Sequence, residues 1–63
     1  MKKRFFYEVY SFNGQSPTGT VTHKIFEFFG DAQSFLLENL NKDLYIDEWV
    51  MFPDGSKLCN NLI

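Results

Sequence analysis

The segment Arg4-Phe5-Phe6-Tyr7-Glu8-Val9-Tyr10-Ser11-Phe12 carries large apolar side chains at both parities of an extended chain. It holds no glycine or proline and is rich in aromatic types, so it reads as a β-strand. Successive side chains of a strand point to opposite faces. Phe5, Tyr7 and Val9 therefore leave one way, and Phe6, Tyr10 and Phe12 the other. A chain of 63 residues builds one domain, 1–63, with one core. One of the two sets lines that core, and the other needs a second partner or stays in water.

So short a chain buries only roughly 60% of the surface that its unfolded form exposes. Disulfides, a metal or oligomerisation usually supply what the core cannot. Cys59 is the only cysteine, so no disulfide forms within the chain. Structural zinc takes about four ligands, mostly Cys and His. Only Cys59 and His23 are of those types, and neither a metal nor a cofactor is expected. Large aromatic side chains and self-association remain. Eight Phe, three Tyr and one Trp supply much apolar area per residue.

Eight acidic and six basic side chains leave a formal net charge of −2. Nucleic-acid binders usually show a basic patch and a high pI. The one basic run, Lys2-Lys3-Arg4, reads as a solvated terminus. No apolar stretch reaches the ~18 residues of a membrane span. Glu8, Asn13 and Gln15 interrupt any secretory h-region. A lone cysteine without a signal peptide predicts a reducing, cytoplasmic setting.

Asn13 to Gly19 is a turn cluster long enough for a mobile loop, and a second strand follows over 20–28. Asp31 is a favourable N-cap for a helix over 31–42, with Ala32, Phe35, Leu36 and Leu40 as its buried stripe. A third strand reads over 45–52. Pro53-Asp54-Gly55-Ser56 is a tight turn, and 57–63 is a short fourth strand. The order predicts an α+β fold: a small ββαββ domain, with an antiparallel or mixed sheet and one helix packed on one face.

Glu8 shares a face with Phe6, Tyr10 and Phe12, which places that set outside and Phe5, Tyr7 and Val9 inside. On the second strand Thr22 and Lys24 mark the outer face, sending Val21 and Ile25 inward. Unbroken parity then turns Phe26 and Phe28 outward and Glu27 inward. A β-bulge near Phe26 would reverse this, and the sequence leaves both registers open. On the third strand Ile46, Val50 and Phe52 oppose Tyr45, Trp49 and Met51. Asp47 and Glu48, as neighbours, point to opposite faces and form no carboxylate dyad.

The uncovered set is then Phe6, Tyr10, Phe12, Trp49 and Met51, with Glu8 and Asp47 among them. Such apolar patches mark interaction sites, and these residue types are enriched at interface cores. The sequence thus predicts a non-enzymatic protein-binding module, an inhibitor or adaptor, with Phe6, Glu8, Tyr10, Phe12, Trp49 and Met51 as partner-binding residues. The size suits a phage or mobile-element accessory protein. Two alternatives use the same face: single-stranded nucleic-acid binding with Lys2-Lys3-Arg4, and a structural homodimer with no separate ligand. No catalytic site is expected. His23 has no orienting group or nucleophile beside it in sequence, and Cys59 reads as a small buried hydrophobe.

Overall fold

The computed structural model describes residues 2–62. Strand β1 spans Arg4–Phe12 and β2 spans Thr20–Phe26. Helix α1, Phe29–Glu38, runs into a 3₁₀ turn at Leu40–Lys42. Strands β3, Tyr45–Met51, and β4, Lys57–Asn61, complete the chain. All four strands form one antiparallel sheet in the order β2-β1-β3-β4, with α1 packed on one face. This is the expected small ββαββ, α+β fold. The two most apolar strands take the centre. Ile63, expected in the fourth strand, lies outside the described residues.

Both hairpin connections are tied by local hydrogen bonds. In the first, Asn13 donates its N–H to the Gly19 carbonyl at 2.9 Å and accepts from Gln15 N–H at 2.9 Å through its own Oδ1. In the second, Asp54 Oδ1 accepts from Ser56 N–H at 2.9 Å. Gly55 there turns at φ +91°, a left-handed geometry that glycine adopts without steric cost.

β2 carries the one departure from simple alternation. Val9 faces Lys24 and Tyr10 faces Thr22, so His23 is an extra residue bulged out of the ladder. The bulge lies before the position near Phe26 that the sequence suggested; it corrects two placements, Ile25 and Lys24, and decides two that the sequence left open, Phe26 and Glu27. Ile25, expected inside, sits opposite Glu8 on the outer face and is 56% exposed. Lys24, expected outside, joins the helix side with its Nζ 5.2 Å from the Phe26 ring centre. Phe26 turns inward against Phe35, with ring centroids 5.7 Å apart. Glu27, which unbroken parity would have buried, is exposed. An unpaired buried carboxylate costs far more than one disrupted ladder position.

The helix begins two residues earlier than its best capping residue. Phe28 is the N-cap, extended at φ −121° and ψ 135°, without a side-chain cap. Asp31 lies instead in the first turn, where its charge still meets the positive end of the helix dipole. Phe29 explains the early start, because its ring packs edge-on against Tyr7 at 5.7 Å. The helix ends at Asn39, whose Nδ2 donates back to the Phe35 carbonyl at 2.8 Å. Leu40 thereby leaves the helical stripe and is 67% exposed, not buried as expected.

The core is Val9, Ala32, Leu44 and Ile46, with Tyr7, Phe26, Phe29, Phe35 and Leu36 packed around it. Val9 and Ile46 are register partners across the central ladder, and both are fully buried. Ala32 lets the helix backbone approach the sheet. Phe5 was expected in this core but is 48% exposed, because a ten-residue helix covers only the middle of a nine-residue strand's face. Phe52 is half-buried, with Lys3 Nζ 5.3 Å from its ring centre. The molecule is a slab, 39 × 28 × 15 Å along its principal axes. Among the described residues no element forms a layer over the other sheet face.

Candidate interaction face

Strand parity assembles this bare face. β1 contributes Phe6, Glu8, Tyr10 and Phe12; β3 contributes Tyr45, Asp47, Trp49 and Met51. The six residues singled out from sequence all lie here: Phe6, Glu8, Tyr10, Phe12, Trp49 and Met51. Tyr45 completes the set. Its parity with Trp49 was the signal for it.

The aromatic side chains form two groups. At one end Phe6 stacks on Trp49, with centroids 6.3 Å apart and planes 11° from parallel. At the other, Phe12 packs edge-on against Tyr45 at 5.1 Å and Tyr10 at 5.6 Å. Tyr10 is only 7% exposed, which corrects its expected place among the uncovered side chains. It is on the outer face but lies beneath its neighbours, and supports Phe12 more than it presents itself. Phe12 is the prominent ring, 66% exposed.

Between the two groups lie Glu8 and Asp47, register partners on the central strands. Glu8 accepts from Trp49 Nε1 at 2.9 Å and from the Thr22 hydroxyl. Asp47 accepts from Tyr10 OH at 3.2 Å, from Asn61 Nδ2 at 2.9 Å and from Cys59 Sγ at 3.5 Å. The carboxylates fix the indole and the phenol in place, so these side chains have little rotamer freedom left to lose on binding. Burial and then the Asp47 charge push the Tyr10 hydroxyl pKa up. On the other face, burial and the hydrogen bond to Glu48 push Tyr7 up in the same way.

Cys59 is exposed, not buried as expected, because β4 is an edge strand and its odd positions share the open face. Partial desolvation of the sulfur, then the neighbouring Asp47 and Glu8, raise its pKa. The thiolate is the nucleophilic form, and this environment disfavours it. His23 meets a partner that sequence proximity did not reveal: Ser11 Oγ lies 2.8 Å from its Nε2, brought there by the bulge.

The Phe6 end of the face opens into a groove of about 610 Å³, lined by Arg4, Phe5, Phe6, Ile25, Glu27, Phe28 and Met51. Ile25 was missed as a surface residue of this end, because only the bulge turns it outward; Phe28, whose face the sequence left open, is held at the rim by the early helix start. Among the described residues no group of three or more His, Cys, Asp or Glu side chains is placed to hold a metal ion. Among the described residues no helix is long and apolar enough to cross a membrane. Compared with known protein families, curated proteins and solved structures, the chain matches none.

Proposed function

We propose that this protein is a non-enzymatic protein-binding module, an inhibitor or adaptor, that uses its helix-free sheet face as the contact surface. The observation that carries this reading is the arrangement of that face. Two aromatic groups, Phe6–Trp49 and Phe12–Tyr45–Tyr10, flank the Glu8–Asp47 pair, and hydrogen bonds hold Trp49 and Tyr10 in place. Ordered aromatic anchors are the residues from which interface affinity is mostly drawn. The central carboxylates favour a partner with Lys or Arg opposite them. They oppose a phosphate backbone, which supports a protein over single-stranded nucleic acid. The free Cys59 thiol goes with a reducing, cytoplasmic setting, and the small size with a phage or mobile-element accessory protein.

The test is partner capture from the native host with the intact protein and with a Phe12→Ser/Tyr45→Ser variant, each checked for fold by circular dichroism. The parent should retain a protein that the folded variant loses. Identical captured sets would remove the face from consideration. Binding to a single-stranded oligonucleotide that weakens steeply with salt would replace this reading with the nucleic-acid one.

A further inference from the structure

We propose that the groove at the Arg4 end of the sheet is a self-pairing surface, and that its occupant is the same groove of a second copy of this chain. Three large apolar side chains, Phe5, Ile25 and Phe28, are exposed around this one groove. Singly exposed apolar residues are ordinary, but a contiguous group marks a surface that is covered. The charges indicate by what. Among the described residues that line the groove, Arg4 and Glu27 are the only charged ones, one of each sign. Among the described residues neither has an ion-pair partner. A basic partner would meet Arg4 and an acidic one Glu27, so neither complements the groove. A copy related by a two-fold axis does, because an isologous interface places residue i against j and j against i. Arg4 then faces Glu27 of the second copy, twice, with the apolar side chains between.

The pairing also supplies what a chain of this size lacks, since association is a usual supplement to a small core. It leaves the other end of the face open. Arg4 and Phe12 are the two ends of the nine-residue β1, about 26 Å apart at strand rise. A dimer joined at the grooves therefore presents two Phe12–Tyr45 ends to the proposed protein partner. Self-pairing does not depend on that partner, and each can fail without the other.

Sedimentation equilibrium of the full chain reads the proposal directly. The parent should rise with concentration from 7.4 kDa to twice that mass. R4E and E27R each place like charges together at both ends of the interface, and each should raise the dimer dissociation constant about 100-fold. Both side chains are exposed, so circular dichroism should be unchanged. An equimolar mixture of R4E and E27R should recover the dimer, because every reversed charge then meets its opposite across the axis. The R4E/E27R double variant should recover it too. A parent that keeps the mass of one chain at all concentrations overturns the proposal. So do reversals without effect, or a mixture that stays monomeric.

Discussion

Asp47 governs the chemistry of its neighbours on the open face. Its carboxylate takes hydrogen bonds from Tyr10, Asn61 and Cys59, and after desolvation its charge is the next cause of the raised thiol pKa. A raised thiol pKa means less thiolate near neutral pH, so Cys59 should react with a disulfide reagent more slowly in the folded protein than in urea. Asp47→Asn should speed the folded-state reaction several-fold at the same pH. Equal rates in parent and variant would mean that the contact is not made in solution. Tyr7 and Tyr10 give a second prediction from the same kind of contact. Both phenols are raised in the fold, by burial first and then by Glu48 and Asp47. A folded pKa above the unfolded one contributes stability that is fully present below about pH 10, the ordinary tyrosine value. That contribution is lost as pH rises through the folded values. Urea midpoints should therefore hold steady through neutral pH and fall above about pH 10. In Tyr7→Phe, whose phenol cannot ionise, the alkaline fall should be shallower. An equally steep fall in that variant would assign the loss to other groups.

Among the elements, β2 shows what a sequence can and cannot specify. Its place and its pairing with β1 follow from composition and the Asn13–Gly19 turn cluster; its end does not, since the strand stops at Phe26 and not at 28. Its register does not, because one extra residue exchanges the faces of everything after it. Both registers satisfy local alternation. What decides is tertiary: Phe26 gains Phe35, and Glu27 gains water. The structure thus predicts a ranking opposite to unbroken parity. Phe26→Ala should cost about 2–3 kcal/mol, at or below the low end for a buried phenylalanine because the ring is half-buried. Ile25→Ala, on the open face, should cost less than about 1 kcal/mol. Urea denaturation of the two variants measures both, and the reverse ranking would refute the bulge at His23. The helix start follows the same logic. Asp31 is the stronger local cap, but Phe29 packing on Tyr7 lies across the fold and outweighs it.

At the scale of the molecule, the two-sided aromatic content of β1 has been divided by the single helix. The helix covers Tyr7 and Val9 in the middle of one face, leaves Phe5 at the margin, and leaves the other face to cover itself sideways. Parity identified which residues would share that second face. It could not identify that Tyr10 would be buried there, because the side chains over it come from a different strand and from the strand's own end. The division makes a prediction about stability. Ile46 is fully buried at the centre of the core, and Ile46→Ala should cost about 2–5 kcal/mol. A domain of this size rarely holds more than about 3–5 kcal/mol in total, so the variant should be largely unfolded at room temperature. Phe12 is the larger side chain but stands mostly in water, and Phe12→Ser should cost less than about 1 kcal/mol. Far-ultraviolet circular dichroism against urea compares the two. If Phe12→Ser unfolds the protein as Ile46→Ala does, the open face is a second core, its side chains are committed to folding, and the protein-binding reading loses the surface on which it stands.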